Sequence, residues 1–284
     1  MWSWLPTQAS PDVSLRVTLD RDRLADLLAP TAMVDGEAVL DVTSDNLVIR
    51  AADAAHTRSV TATLAADACS QYAVTPGRLV FDPTTLRAAI AADQTVSTET
   101  ESVTLTYAAG ESTLSVALST LTQEQSVDPT PEDDVPLLNQ WPGGATVHHR
   151  AKALTELCSY FAARTNVVTV EYDGSQNLFR IESVTAQSAD DASAMTSTYE
   201  RAGSELPGET AAVTVKSTFD SALLRDLTAA VPGDARVRLD IADAHPLRLA
   251  WTGSHTDNEV DTPVEITALL APRETSVQDD DETG

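Results

Sequence analysis

The chain has 284 residues, enough for two domains that each bury a core, and 42% of it is hydrophobic. Its formal charge of −25, with only Lys152 and Lys216 as lysines among 18 basic residues, argues against ordinary electrostatic capture of nucleic acid and looks like adaptation to a very salty cytoplasm. Two isolated cysteines, Cys69 and Cys158, exclude a disulfide framework or zinc cluster, and no signal-like N-terminus or apolar run of about 18 residues is present, which predicts a cytoplasmic protein.

Residues 1–12 form an extension. Val13 to Leu19 alternates and predicts a half-buried strand, followed by a helix with Leu24, Leu27 and Leu28 on one face, capped by Asp20 or Asp22 and bent or ended at Pro30. Strands follow at 38–42, 46–51 and 59–64, the last two separated by the loop 52–57. A short strand at 79–81 leads through Pro83, at the first turn of a helix, to the apolar face of Leu86 and Ile90, and then to strands at 102–107 and 113–118. From Ser119 to Trp141 no period survives, and three prolines and a run of carboxylates predict an extended connector.

The second half repeats the plan. A strand at 145–147 precedes a helix over 149–164 with Leu154, Leu157 and Phe161 on one face, and strands follow at 167–172, 178–183, 194–199 and 212–215. A helix over 221–230 stops at Val231-Pro232-Gly233, strands at 236–241, 247–252 and 264–270 close a sheet, and residues 274–284 form an acidic tail. Arg78 to Asp93 and Lys216 to Asp234 both run through Phe-Asp into a Leu-rich helix, so the connector joins two copies of one design. The predicted class is α+β: two similar domains, 13–118 and 142–273, each a duplicated strand-helix-strands motif with its helices on one face of an antiparallel sheet.

Catalytic patterns are missing: no H-E-x-x-H, G-x-S-x-G, G-x-G-x-x-G or Walker-type loop occurs, which predicts a protein that is not an enzyme and needs no cofactor or metal. The basic residues that do gather sit on the four predicted helices: Arg23 on the first, Arg87 on the second, His149, Arg150 and Lys152 at the start of the third, and Arg225 on the fourth. With helices inside and sheet outside, these would face one shared surface.

The loop Ala52-Asp53-Ala54-Ala55-His56, the strand start Pro246-Leu247, and Leu269-Leu270-Ala271-Pro272-Arg273, together with the doubled repeat and the connector, resemble the DNA sliding clamps of archaea and eukaryotes, the proliferating cell nuclear antigen family. The resemblance covers about residues 13–274. It implies a homotrimeric ring around double-stranded DNA, bound without regard to sequence, that tethers a DNA polymerase, is set on DNA by a clamp loader, and holds other proteins through clamp-binding peptides. It implies a partner cleft at Ala52, His56, Ser59, Pro246, Leu270, Ala271 and Pro272, with Val135 and Leu137 from the connector. It also implies subunit contacts between edge strands, Leu114, Val116 and Leu118 of one chain beside Met195, Ser197 and Tyr199 of the next. The channel is poor in cations for this family; at multimolar salt exposed charges are screened within about 3 Å, and a topologically linked ring needs no tight contacts. The alternative is a clamp-like protein that binds partners without encircling DNA, or that assembles with another clamp subunit.

Overall fold

Alternating apolar positions and side-chain caps set the local structure throughout the computed structural model, which describes residues 13–96, 102–128, 144–185, 195–202, 214–253 and 263–273, with the backbone alone for 184–185 and 195–202. The strands are β1 (Ser14–Asp20), β2 (Ala38–Val42), β3 (Asn46–Ala52), β4 (Arg58–Ala65), β5 (Gln71–Thr75), β6 (Gly77–Phe81), β7 (Ser102–Tyr107), β8 (Thr113–Ala117) and β9 (Thr122–Asp128) in the first half. The second half contributes β10 (Ala145–Arg150), β11 (Val167–Asp173), β12 (Leu178–Thr185), β13 (Met195–Ala202), β14 (Val215–Asp220), β15 (Arg236–Ile241), β16 (Leu247–Thr252) and β17 (Glu265–Leu270). The helices are α1 (Arg21–Leu28), α2 (Pro83–Val96), α3 (Ala151–Ala162) and α4 (Ser221–Ala229).

Two helix starts show the repeat at the level of single atoms. Asp20 accepts from the N–H of Asp22 to cap α1, and Asp220 accepts from the N–H groups of Ala222 and Leu223 to cap α4. Each cap lies at the last residue of a strand, so strand and helix meet without a loop. Leu24, Leu27 and Leu28 of α1, Leu86 and Ile90 of α2, Leu154 and Phe161 of α3, and Leu224 and Leu227 of α4 all enter the core. The helices pack in two pairs, α1 with α2 and α3 with α4, against one face of the sheets.

The duplication is explicit in the sheet order. One sheet runs β10-β15-β16-β17-β4-β3-β2-β6-β9-β8-β7-β1-β5 and a second runs β13-β12-β11-β14. The first-half series β1-β7-β8-β9 thus recurs as β10-β15-β16-β17, and β6-β2-β3-β4 recurs as β14-β11-β12-β13. The halves are joined by an antiparallel ladder of six residue pairs between β17 and β4, from Glu265 opposite Thr63 to Leu270 opposite Arg58. Close packing across the junction continues at Gly253, where a Cβ atom would lie 2.5 Å from Asp26 Oδ2 of α1.

The strand predicted at 212–215 is β14, which begins only at Val215 and runs to Asp220, and three other stretches differ. Residues 122–128, expected within the connector, are β9, whose inward positions are Gln125 and Val127, so the strand carries almost no apolar alternation. The third helix begins at Ala151 rather than at 149, because His149 is an inward-facing strand residue, 4% exposed, with its ring 6.4 Å from that of Phe179. The strand β5 lies in a stretch without a predicted element, and it pairs with β1. The predicted extension, the tail and most of the connector, including Val135 and Leu137, lie outside the described residues. Among the described residues no helix is long and apolar enough to cross a membrane.

Candidate functional site: a cleft beside the strap after the last strand

The loop after β3 is organised by one carboxylate. Asp53 Oδ1 accepts from the N–H of Thr57 at 2.7 Å and of Arg58 at 3.2 Å, while Oδ2 accepts from Thr57 Oγ1 and Arg58 Nε. Burial by itself would raise this carboxyl's pKa, but the hydrogen bonds from Thr57 and Arg58 outweigh it and hold the group below the ordinary aspartate value. The loop closes with His56 in a left-handed conformation, φ 53°, which exposes Ala54, Ala55 and His56.

The segment after β17 straps this loop to the second sheet. The N–H of Ala271 donates to Thr57 O at 2.8 Å, and that of Arg273 donates to Thr218 O of β14 at 2.8 Å. A third wall is the turn after β15: the N–H of Lys216 donates to Asp243 Oδ1, and Ser217 Oγ donates to Ala242 O at 2.9 Å. Between β14, this turn and the strap opens a cleft of about 620 Å³, with Lys216, Asp243 and Arg273 as its charges and Ala244 and Pro272 as apolar surface.

The predicted cleft residues divide by exposure. Pro272 lines the cleft, His56 is exposed on the neighbouring loop, and Ala52 and Ala271 are half-buried. Ser59, Pro246 and Leu270 are buried. Sequence reasoning missed Lys216, Thr218, Asp243 and Arg273; the Lys216 segment was legible only as a strand entry of the repeat, and strand β14 brings it to the turn only in the folded chain.

The predicted channel residues do not form one surface. Lys152 is exposed on α3, and Arg225 is exposed on α4 but bound by Asp226 at 2.7 Å. Arg23 donates to Ala68 O, and Arg87 is half-buried on α2. His149 is in the core, and Arg150 lies on β10, on the sheet face opposite the helices. The predicted interface residues Leu114 and Val116 point into the core and Leu118 is also buried, while β8 is flanked on both sides by β7 and β9. The exposed edge is instead β9, which meets β6 at only two positions, 127 and 128. Met195, Ser197 and Tyr199 fall on β13, the end strand of the four-stranded sheet. Among the described residues no group of three His, Cys, Asp or Glu side chains is placed to hold a metal ion.

Neither a protein-family model nor a curated protein sequence matches the chain. Solved structures do. Proliferating cell nuclear antigen (PCNA) of A. fulgidus, in a structure with the C-terminal region of FEN-1 bound to it, is 19% identical, with a TM-score of 0.72 over 92% of this chain and 99% of that one. PCNA of Entamoeba histolytica is 13% identical, with a TM-score of 0.69 over 92% and 99%. The PCNA2–PCNA3 complex of Sulfolobus tokodaii gives 16%, with a TM-score of 0.66 over 91% and 99%. The chain therefore has the fold of the PCNA sliding clamps, over nearly its whole length.

Proposed function

We propose that the protein is a processivity factor, a homotrimeric clamp that encircles double-stranded DNA without reading its sequence and tethers a DNA polymerase and other replication proteins. The observation that carries this reading is the β17–β4 ladder. In the duplicated sheet order β9 is the counterpart of β17, and β13 is the counterpart of β4. Within one chain the second pair of counterparts is unjoined: β9 has an open edge over 122–126 and β13 ends its sheet. Repeating the internal contact between chains pairs β9 of one with β13 of the next, uses up both edges, and closes a ring with the helices inward. Leu114, Val116 and Leu118 then support the interface strand from the core.

The cleft between Ala244, Pro272 and the strap takes the clamp-binding peptides of partners, a reading supported by the likeness to a clamp with the C-terminal region of FEN-1 bound. The channel contacts come from Arg23, Arg87, Lys152 and Arg225, and a clamp loader opens and sets the ring. The acidic, lysine-poor composition fits a cytoplasm of concentrated salt, where brief phosphate contacts suffice for a topologically held ring.

Sedimentation in concentrated KCl tests the ring. A species of three times 30.1 kDa is expected; a monomer at every concentration would sink the homotrimer. That outcome would favour the second reading, a clamp-like subunit that works with another clamp or without encircling DNA. The pairing of Arg225 with Asp226 on the helix side is the observation that speaks for it.

A further inference from the structure

The sheet face turned away from the helices carries a charge pattern unlike the rest of this acidic chain. Directly opposed residues in a ladder share a face. On β10 and β15 the register sets His148 opposite Arg238 and Arg150 opposite Arg236, and on β15 and β16 it sets Asp240 opposite Arg248. Val147, His149, Val237, Leu239 and Leu249 fill the other face and are buried. Four of the chain's 16 arginines therefore meet on three adjacent strands, with Asp240 as the carboxylate among them.

Asp240 is 1% exposed and already held: Arg238 donates to both of its oxygens at 2.9–3.1 Å, Thr146 Oγ1 donates at 2.7 Å, and Arg248 Nε lies 3.7 Å away. Its charge fixes Arg238, whose pKa is raised by the hydrogen bonds that it donates to that carboxylate, and leaves the outer guanidinium surface cationic. Arg150 and Arg236 are exposed and have no carboxylate partner among the described residues. Along β15, Arg236 and Arg238 are two residues apart, about 6.6 Å, and neighbouring strands add about 4.8 Å each. The result is a flat array of forked donors.

We propose that this outer face is a second nucleic-acid site, one that binds a phosphate backbone through Arg150, Arg236, Arg238 and Arg248, separate from the channel. Arginine forks match phosphate oxygens two at a time, a geometry lysine lacks. His148 is the single ring among them, and no Phe, Tyr or Trp side chain stands on these strands' outer positions to stack a base, so the contact is independent of sequence. The large apolar side chain beside them, Leu269 opposite Arg248, is 8% exposed and offers a peptide little to anchor on, which disfavours an acidic protein segment. The site lies outside the proposed ring and suits a strand that has passed through it or branches from it.

The test is fluorescence anisotropy with labelled 30-nucleotide single strands and 30-base-pair linear duplexes, in a KCl series over which circular dichroism shows the protein folded. The full chain is expected to bind one or both, with affinity falling as KCl rises. R150E/R236E, and the milder R150Q/R236Q, should weaken binding by about tenfold or more and reduce the slope of log K against log salt by about two. Arg16→Glu, an exposed change on β1 toward the other end of the sheet, should leave binding nearly unchanged. Wild-type affinity in the patch variants, no binding of either probe, or displacement of DNA by a peptide of residues 274–284 would overturn the proposal. Short linear DNA needs no closed ring, so failure of the trimer leaves this outcome readable.

Discussion

Asp93 is the residue on which the first half turns most sharply from sequence expectation to structural cause. It sits at 0% exposure near the end of α2, where a carboxylate is ordinarily a solvated surface charge. Ser119 Oγ donates to it at 2.8 Å, Thr120 donates through its N–H at 3.1 Å and its hydroxyl at 2.6 Å, and Arg21 of α1 donates at 3.3 Å. Burial alone would raise its pKa, but the donors from Thr120, Ser119 and Arg21 bring it down to about 2. One side chain thus ties both first-half helices to the turn between β8 and β9. Replacement by alanine would remove the closer of the two carboxylates that face the buried Arg21, leaving Asp22 at 3.7 Å from its Nε, and should cost about 3 kcal/mol in chemical denaturation. The pH dependence has a definite sign. Because the folded pKa lies below the ordinary 3.8, the contribution is complete above pH 3.8 and is lost as pH falls toward 2. An Asp93→Asn variant should therefore show a shallower loss of stability across that window, measured by urea titration at stepped pH. At the cleft, Ala244 already holds a left-handed backbone, φ 53°, so Ala244→Arg adds a side chain at little further backbone cost. It should weaken a clamp-binding peptide carrying glutamine and a terminal aromatic pair by about tenfold, or 1.4 kcal/mol, with an unchanged melting temperature. Undiminished affinity would place the peptide elsewhere.

At the scale of elements, what was legible followed apolar periodicity. The α1, α2 and α4 helices and most strands matched, because each presents one apolar face to one core. The β9 strand was not legible because its inward residues are Gln125 and Val127, and backbone pairing with β8, rather than side-chain burial, fixes it. That omission placed the expected open edge on β8, which β7 and β9 flank, rather than on β9, which meets β6 at only two positions. The start of α3 was misplaced for a different reason: His149 and Arg150 suit a polar first turn in a linear reading, yet the ladder to β15 claims both for β10. The consequence is that Arg150 moves from the helix side to the outer face. Of the cleft, the loop and strap segments were visible through family likeness, and the β14 wall was not, because no local pattern reports which distant turn a strand will meet.

Among the described residues, arginine is distributed unequally between the two faces. Helix-side cations are few, and Arg225 among them is bound to an adjacent carboxylate, while the outer face of the second half concentrates arginine. In a chain of formal charge −25 this asymmetry gives the particle a direction for any polyanion that approaches it. The six-pair ladder between β17 and β4 has a consequence for the chain as a covalent object. Among the described residues, the halves are held together by that ladder, by the bond from the N–H of Ala271 to Thr57 O and by the close approach of Gly253 to Asp26. Two polypeptides, one covering residues 13–128 and the other 144–273, should therefore find each other when co-expressed and purify as a stoichiometric pair through a tag on either one. Recovery of only the tagged fragment would show that the linking chain is needed for assembly. If the pair forms, the gene tolerates being cut in two, and two-piece clamps of this fold become a physical possibility without any new contact.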